Sequence, residues 1–133
     1  MGLDMYLQGR KVNFTDWEKP EGKRCPMMDG FEVQEHVLQL GYWRKHPNLH
    51  GAIVQMFADG KDECQDIYLD KEKLEKLIQA VKDNNLPETE GFFFGKSEDP
   101  NEQNTIEQLE GALKWLQTKE HNVSRSVVYR ASW

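Results

Sequence analysis

Leu38-Gln39-Leu40-Gly41-Tyr42-Trp43-Arg44-Lys45-His46-Pro47-Asn48-Leu49-His50 is the stretch on which the fold turns. Its first half reads as extended chain, because aromatic residues suit a pleated, half-buried surface. Its second half reads as a helix starting at Pro47, whose missing amide hydrogen would be unpaired in the first helical turn anyway. Upstream the pattern is divided. Val33, His36, Val37 and Leu40 fit helical spacing, while the end of the segment 31–43 looks like a strand, and a strand is preferred there. Downstream, Leu49, Ile53, Val54 and Phe57 give one apolar face, and Asp59-Gly60 closes the element.

Outward from this junction, strands and helices alternate. Leu3, Met5 and Leu7 alternate with Asp4, Tyr6 and Gln8, the period-2 pattern of a half-buried strand. Residues 16–30 hold two prolines and two glycines without periodicity, which predicts a long surface loop, pinned by Trp17 and Met27-Met28. Ile67 to Leu69 reads as a short strand. Asp70 then caps a helix whose stripe is Leu74, Leu77, Ile78 and Val81. Phe92-Phe93-Phe94 between two glycines predicts a strand buried on both faces, and Lys96 to Gln103 a polar loop. Thr105 with Gln108 makes a capping-box pattern ahead of Ile106, Leu109, Leu113 and Leu116, with Trp115 near the edge of that helix. From Ser126 to Trp133, Val127, Tyr129, Ala131 and Trp133 alternate with Val128, Arg130 and Ser132 in a last strand. The order β-β-α-β-α-β-α-β predicts one α+β domain over residues 1–133, a sheet with about three helices packed on it.

Composition narrows the function classes. The chain has 133 residues, 38% hydrophobic and 30% charged, and a net charge of −6, which argues against a protein that coats polyphosphate. Residues 59–110 carry 15 acidic and 6 basic side chains, net −9, leaving +3 elsewhere. An acidic surface of this kind can compete with nucleic acid for a basic groove on another protein. Cys25 and Cys64 lie outside any C-x-x-C spacing, so neither a disulfide framework nor structural zinc is expected, and a reducing cytoplasm is. Cys64 sits among carboxylates, which disfavours a thiolate. The start Met-Gly-Leu-Asp-Met-Tyr lacks the pattern of a targeting signal, and no apolar run reaches membrane-spanning length. The sequons at Asn13 and Asn122 are then chance matches.

The densest functional-looking patch is Tyr42 to His50. Trp43 or Tyr42 can stack on a base, and an anion can rest on the helix N-terminus with Arg44 or Lys45 as counter-charge. Asp4 or Tyr6 on the neighbouring strand would complete a pocket. His46 and His50 are four apart and would share a helix face, but a metal would need a third ligand such as Asp62, Cys64 or Asp66, which no spacing requires. No Gly-rich phosphate loop, nucleophile elbow or H-E-x-x-H pair is present, so neither a cofactor nor a catalytic residue is expected.

In order along the chain, Gly2-Leu3-Asp4-Met5-Tyr6-Leu7, Gly41-Tyr42-Trp43-Arg44-Lys45, Asp62-Glu63-Cys64, Gly91-Phe92-Phe93-Phe94-Gly95 and a final Ser132-Trp133 resemble the motifs of a small family of bacteriophage and prophage proteins without an assigned activity. Some members carry a phosphoglycerate kinase label, but 133 residues cannot house a two-domain kinase. The loop Ser97 to Asn104 departs from the acidic and tyrosine-bearing loop of the family. The resemblance implies a phage-borne accessory protein in the host cytoplasm. The expected activity is non-enzymatic: binding and antagonism of a host protein, such as a nucleic-acid-binding defence effector, in the manner of an anti-CRISPR inhibitor. The alternative is a nucleotide-signal sponge built on the Tyr42 to His50 turn. In either case the expected contact residues are Asp4, Tyr6, Tyr42, Trp43, Arg44, Lys45, His46 and His50. A metal-dependent hydrolase at the two histidines is the third option.

Overall fold

The computed structural model describes residues 3–86 and 102–132. Its elements are β1 (Asp4–Asn13), β2 (Met27–Met28), β3 (Phe31–Glu32), β4 (Glu35–Arg44), α1 (Pro47–Phe57), β5 (Ile67–Tyr68), α2 (Lys71–Lys82), α3 (Glu102–Gln117) and β6 (Val123–Ser132). The three long strands and the two-residue β5 form an antiparallel sheet in the order β4-β1-β6-β5, and β2 pairs with β3 in a separate two-stranded sheet. This is an α+β arrangement with three helices on the sheet. Phe92-Phe93-Phe94 and residues 96–101 lie outside the described residues, as do Met1, Gly2 and Trp133.

One core joins the layers. Leu3, Met5, Leu7, Trp43, Val127 and Tyr129 come from the sheet, and Leu49, Ile53, Leu74, Leu77 and Leu109 from the helices. Each fully buried leucine contributes roughly 1.5–3 kcal/mol through removal of apolar surface from water. Asp70 caps α2 as its position predicts, its Oδ1 accepting from the Lys73 amide at 2.9 Å. The upstream half of segment 31–43 is strand, and helix-like spacing misled there because β4 carries a bulge. The register against β1 slips between Leu7 and Gln8, so Leu40 is an extra residue. It packs on the core, where strict alternation would not put it beside Gly41. Gly9 lets this happen: a Cβ there would meet the Trp115 ring at 2.8 Å and the Leu40 side chain at 2.9 Å.

Two expectations are corrected. The helix α3 begins at Glu102, three residues before the supposed capping box, and Thr105 is inside it and 1% exposed. Its hydroxyl accepts the Trp43 indole N–H at 3.1 Å instead of capping. Residues 16–30 are not pinned by Trp17 and Met27-Met28 either, since all three are exposed, and of the segment's apolar side chains Cys25 is the buried one. Backbone bonds hold the segment: Asp16 N–H donates to Arg24 O and Val33 N–H to Pro26 O. Within it, Asp29 and Gly30 both take positive φ, 53° and 84°, which turns β2 into β3 as a two-residue hairpin.

Candidate functional site

The eight expected contact residues do not share one surface. On β1 and β4, Asp4 stands opposite Arg44 and Tyr6 opposite Tyr42, on the sheet face away from the core. The Tyr42 hydroxyl donates to Asp4 Oδ1 at 2.6 Å, and the Tyr6 and Tyr42 rings lie 5.3 Å apart and tilted. That hydrogen bond, with the negative charge of Asp4, pushes the Tyr42 phenol above its ordinary pKa. The face continues across β6, where Arg130 lies opposite Tyr6 and its Nε meets Asp66 at 2.9 Å. Arg10 reaches the Tyr68 hydroxyl at 3.2 Å, and Val128 on the same face is fully buried.

Trp43, His46 and His50 turn inward. Trp43 is 6% exposed, a core residue that spends its single polar group on Thr105. Lys45 takes φ 53° as the chain leaves the strand, and its amide donates to Leu3 O. His46 is the N-cap of α1: Nδ1 accepts from the Leu49 amide at 3.4 Å, so the neutral ring carries its proton on Nε2. Nε2 lies 3.1 Å from Glu102 Oε1 without the alignment of a hydrogen bond. Burial lowers the pKa of His46 to about 4 and raises that of Glu102, since both charged forms lose hydration.

His50 sits one turn further along, with Nε2 2.8 Å from Asp62 Oδ2 and Nδ1 2.5 Å from the Tyr129 hydroxyl. A carboxylate only accepts, so Nε2 donates to Asp62 and Nδ1 accepts from Tyr129. Tyr129 is 1% exposed, and burial, then the charges of Asp62 and Cys64, raise its pKa well above the usual phenol value. It is a donor at every ordinary pH, and the chain of bonds ties α1, β6 and the 59–66 segment together. The two histidines therefore face different partners, and among the described residues no group of three or more His, Cys, Asp or Glu is placed to hold a metal ion. Sequence reading named Asp62 as a possible metal ligand and a motif residue and Tyr129 as a strand residue, and missed both as partners of His50. The signal was there: a histidine beside Leu49 and Ile53 on an apolar helix face needs a partner for each ring nitrogen.

The fold defines a class no narrower than an α+β protein whose helices pack on one side of the sheet and whose other side bears tyrosines and arginines that, among the described residues, no helix covers. Compared with family models, curated proteins and solved structures, the chain matches none of them. No described helix is long and apolar enough to cross a membrane.

Proposed function

We propose that the chain acts by binding a protein partner on the open face of its sheet, with no bond made or broken. The supporting observation is the contrast on β1 and β4: Tyr6, Tyr42 and Arg44 stand toward solvent while the other face of the same strands is sealed by helices. Tyrosine and arginine are favoured at interface centres because they present large, rigid contact area with a polar tip at little entropic cost. The resemblance to phage proteins supplies the class of partner, a host factor antagonised by occupancy, with a defence effector of anti-CRISPR type as the expected kind. The test is a pull-down from the natural host with the full chain as bait. Retention of one host protein by the wild type, and its loss in a Tyr6→Ala/Arg44→Glu variant that still melts cooperatively, is the expected result. Loss instead on reversing Glu72, Glu75, Glu107 and Glu110 to lysine would move the working surface to the helices and defeat the assignment.

A second reading has its own observation. A hollow of about 280 Å³ lined by Tyr6, Gln8, Cys64, Arg130, Ala131 and Ser132 opens on the same face and suits a small ligand such as a nucleotide signal. That reading expects ligand-induced thermal stabilisation that is lost in Arg130→Ala, the cation lining the hollow. A nucleotide-sized mass co-purifying with the bait in place of a host protein would favour it.

A further inference from the structure

We propose that the chain carries a separate binding site for a small phosphate monoester, in the cavity at the far end of the sheet from the β4–α1 junction. The cavity, about 420 Å³, lies where β1 ends and β4 and β6 begin, under the 16–26 segment. That volume is within the usual range for small-molecule pockets. Its frame is fixed before any ligand arrives. Asn13 and Cys25 are buried in its wall, the Asn13 side chain donates to Val33 O at 2.8 Å, and the Phe14 amide donates to Asn122 O at 2.8 Å.

Arg24 carries the argument. Its guanidinium is stacked 4.7 Å over Trp17, and its Nε donates to Lys19 O at 3.1 Å. Among the described residues its two terminal nitrogens have no partner. A planar fork held by a ring and a carbonyl, with its ends unbonded at a cavity wall, is the geometry that takes two oxygens of a phosphate at once. Lys19 stands beside it, 63% exposed and only 4.0 Å from Asp16, so its ammonium is loosely held and can close on an anion. The rings of His36 and His121 also line the cavity and have no side-chain partner among the described residues.

The acids nearby do not cancel this. Glu120 is gripped by Lys11 at 2.8 Å and by Arg125 at 2.9 Å, which holds its carboxyl below the usual range, so its charge is already answered. Glu32 lies outside the cavity lining, its Oε1 accepting from the Arg24 backbone amide at 2.9 Å. Among the lining residues, Arg24 and Lys19 stand against Asp16, and the free fork of Arg24 favours an anion that offers it two oxygens. The net charge of −6 is felt weakly here, since charges beyond about 8 Å are largely screened at physiological salt. Phe14, 53% exposed on the cavity wall, offers a ring against which the organic part of the ester can lie. This site shares no residue with the open sheet face and stands or falls separately from the function proposed above.

The experiment is isothermal titration of the full chain with inorganic phosphate, adenosine monophosphate and adenosine. The monophosphate is expected to bind more tightly than inorganic phosphate, and adenosine not at all. Arg24→Lys, which keeps the charge and loses the fork, is expected to weaken binding about tenfold, Lys19→Gln by less, and Tyr42→Phe not at all. A cooperative melt unchanged by these surface substitutions guards against misfolding. Absence of heat with the monophosphate at millimolar concentration, binding of inorganic phosphate alone, or full affinity in Arg24→Lys would each overturn the proposal.

Discussion

On the inner face of β1 and β4, Met5, Leu7 and Trp43 lie under helices, and Trp43 has its one polar atom bonded to Thr105. On the outer face of the same two strands, Tyr42 bonds to Asp4 and lies against Tyr6, and Arg44 stands exposed opposite Asp4. The strand alternation puts neighbours in sequence on opposite sides, so the dense run from Tyr42 to His50 is dense only along the chain. One side of it holds the fold together, and the other is the face proposed above to meet a partner. Substitutions on the two faces should therefore differ in kind as well as in size.

The largest effect belongs to Trp43→Ala. Removing this ring empties the core and leaves the Thr105 hydroxyl without the indole donor, and a loss of about 3–5 kcal/mol is expected in urea unfolding. A loss below about 1 kcal/mol would mean that the inner face collapses around the gap and that the contrast between the faces is shallow.

Acid comes next. Burial holds His46 at a pKa of about 4 against an ordinary 6.5, so the unfolded chain takes up its proton first as pH falls. Stability from this residue is full above pH 6.5 and drains away toward pH 4, by up to about 3 kcal/mol. Glu102 works in the opposite sense: its raised pKa lets the native state take up a proton before the unfolded chain does, returning part of the loss at the acid end. Denaturant midpoints measured from about pH 8 to about pH 4.5 should fall, and His46→Gln should flatten the curve. An identical slope in that variant would place the acid sensitivity elsewhere.

Tyr129→Phe is expected to lose about 1–3 kcal/mol, because it deprives the buried His50 Nδ1 of its donor while leaving the ring volume in place. The double variant with His50→Leu sharpens the point. If the pair acts as a unit, the second substitution adds less than it does alone, which a double-mutant cycle of melts reads directly.

These residues also show what the sequence could and could not disclose. The helix α2 was legible because Leu74, Leu77, Ile78 and Val81 fall on one stripe behind a capping aspartate, all within a dozen residues. The start of α1 at Pro47 and the last strand were legible for the same local reason. The hairpin of β2 and β3 was missed although Asp29-Gly30 is a local signal for a two-residue turn, because its strands are only two residues each and the prolines and glycines before them read as loop. The bonding of His50 was hidden by distance, with Tyr129 lying 79 positions away. The cavity beside Arg24 was hidden similarly, because the 11–26 segment meets His36 and residues 120–123 only after the sheet has formed. Of the expected contact residues, alternation alone could have separated Tyr42 and Arg44 from Trp43.

The smallest structural effect is expected from Tyr42→Phe, and it tests the outer face most directly. The hydroxyl it removes is bonded to Asp4 in an exposed position, so no buried group is orphaned and the melting temperature should not move measurably. The companion change Asp4→Asn removes the acceptor charge that holds the Tyr42 phenol high, and spectrophotometric titration should then show that phenol ionising at lower pH. If the outer face is a contact surface, Tyr42→Phe weakens partner retention without weakening the fold, whereas Trp43→Ala loses both together. A Tyr42→Phe variant that melts early would show that the two faces are one mechanical unit, and the division of labour between them would have to be abandoned.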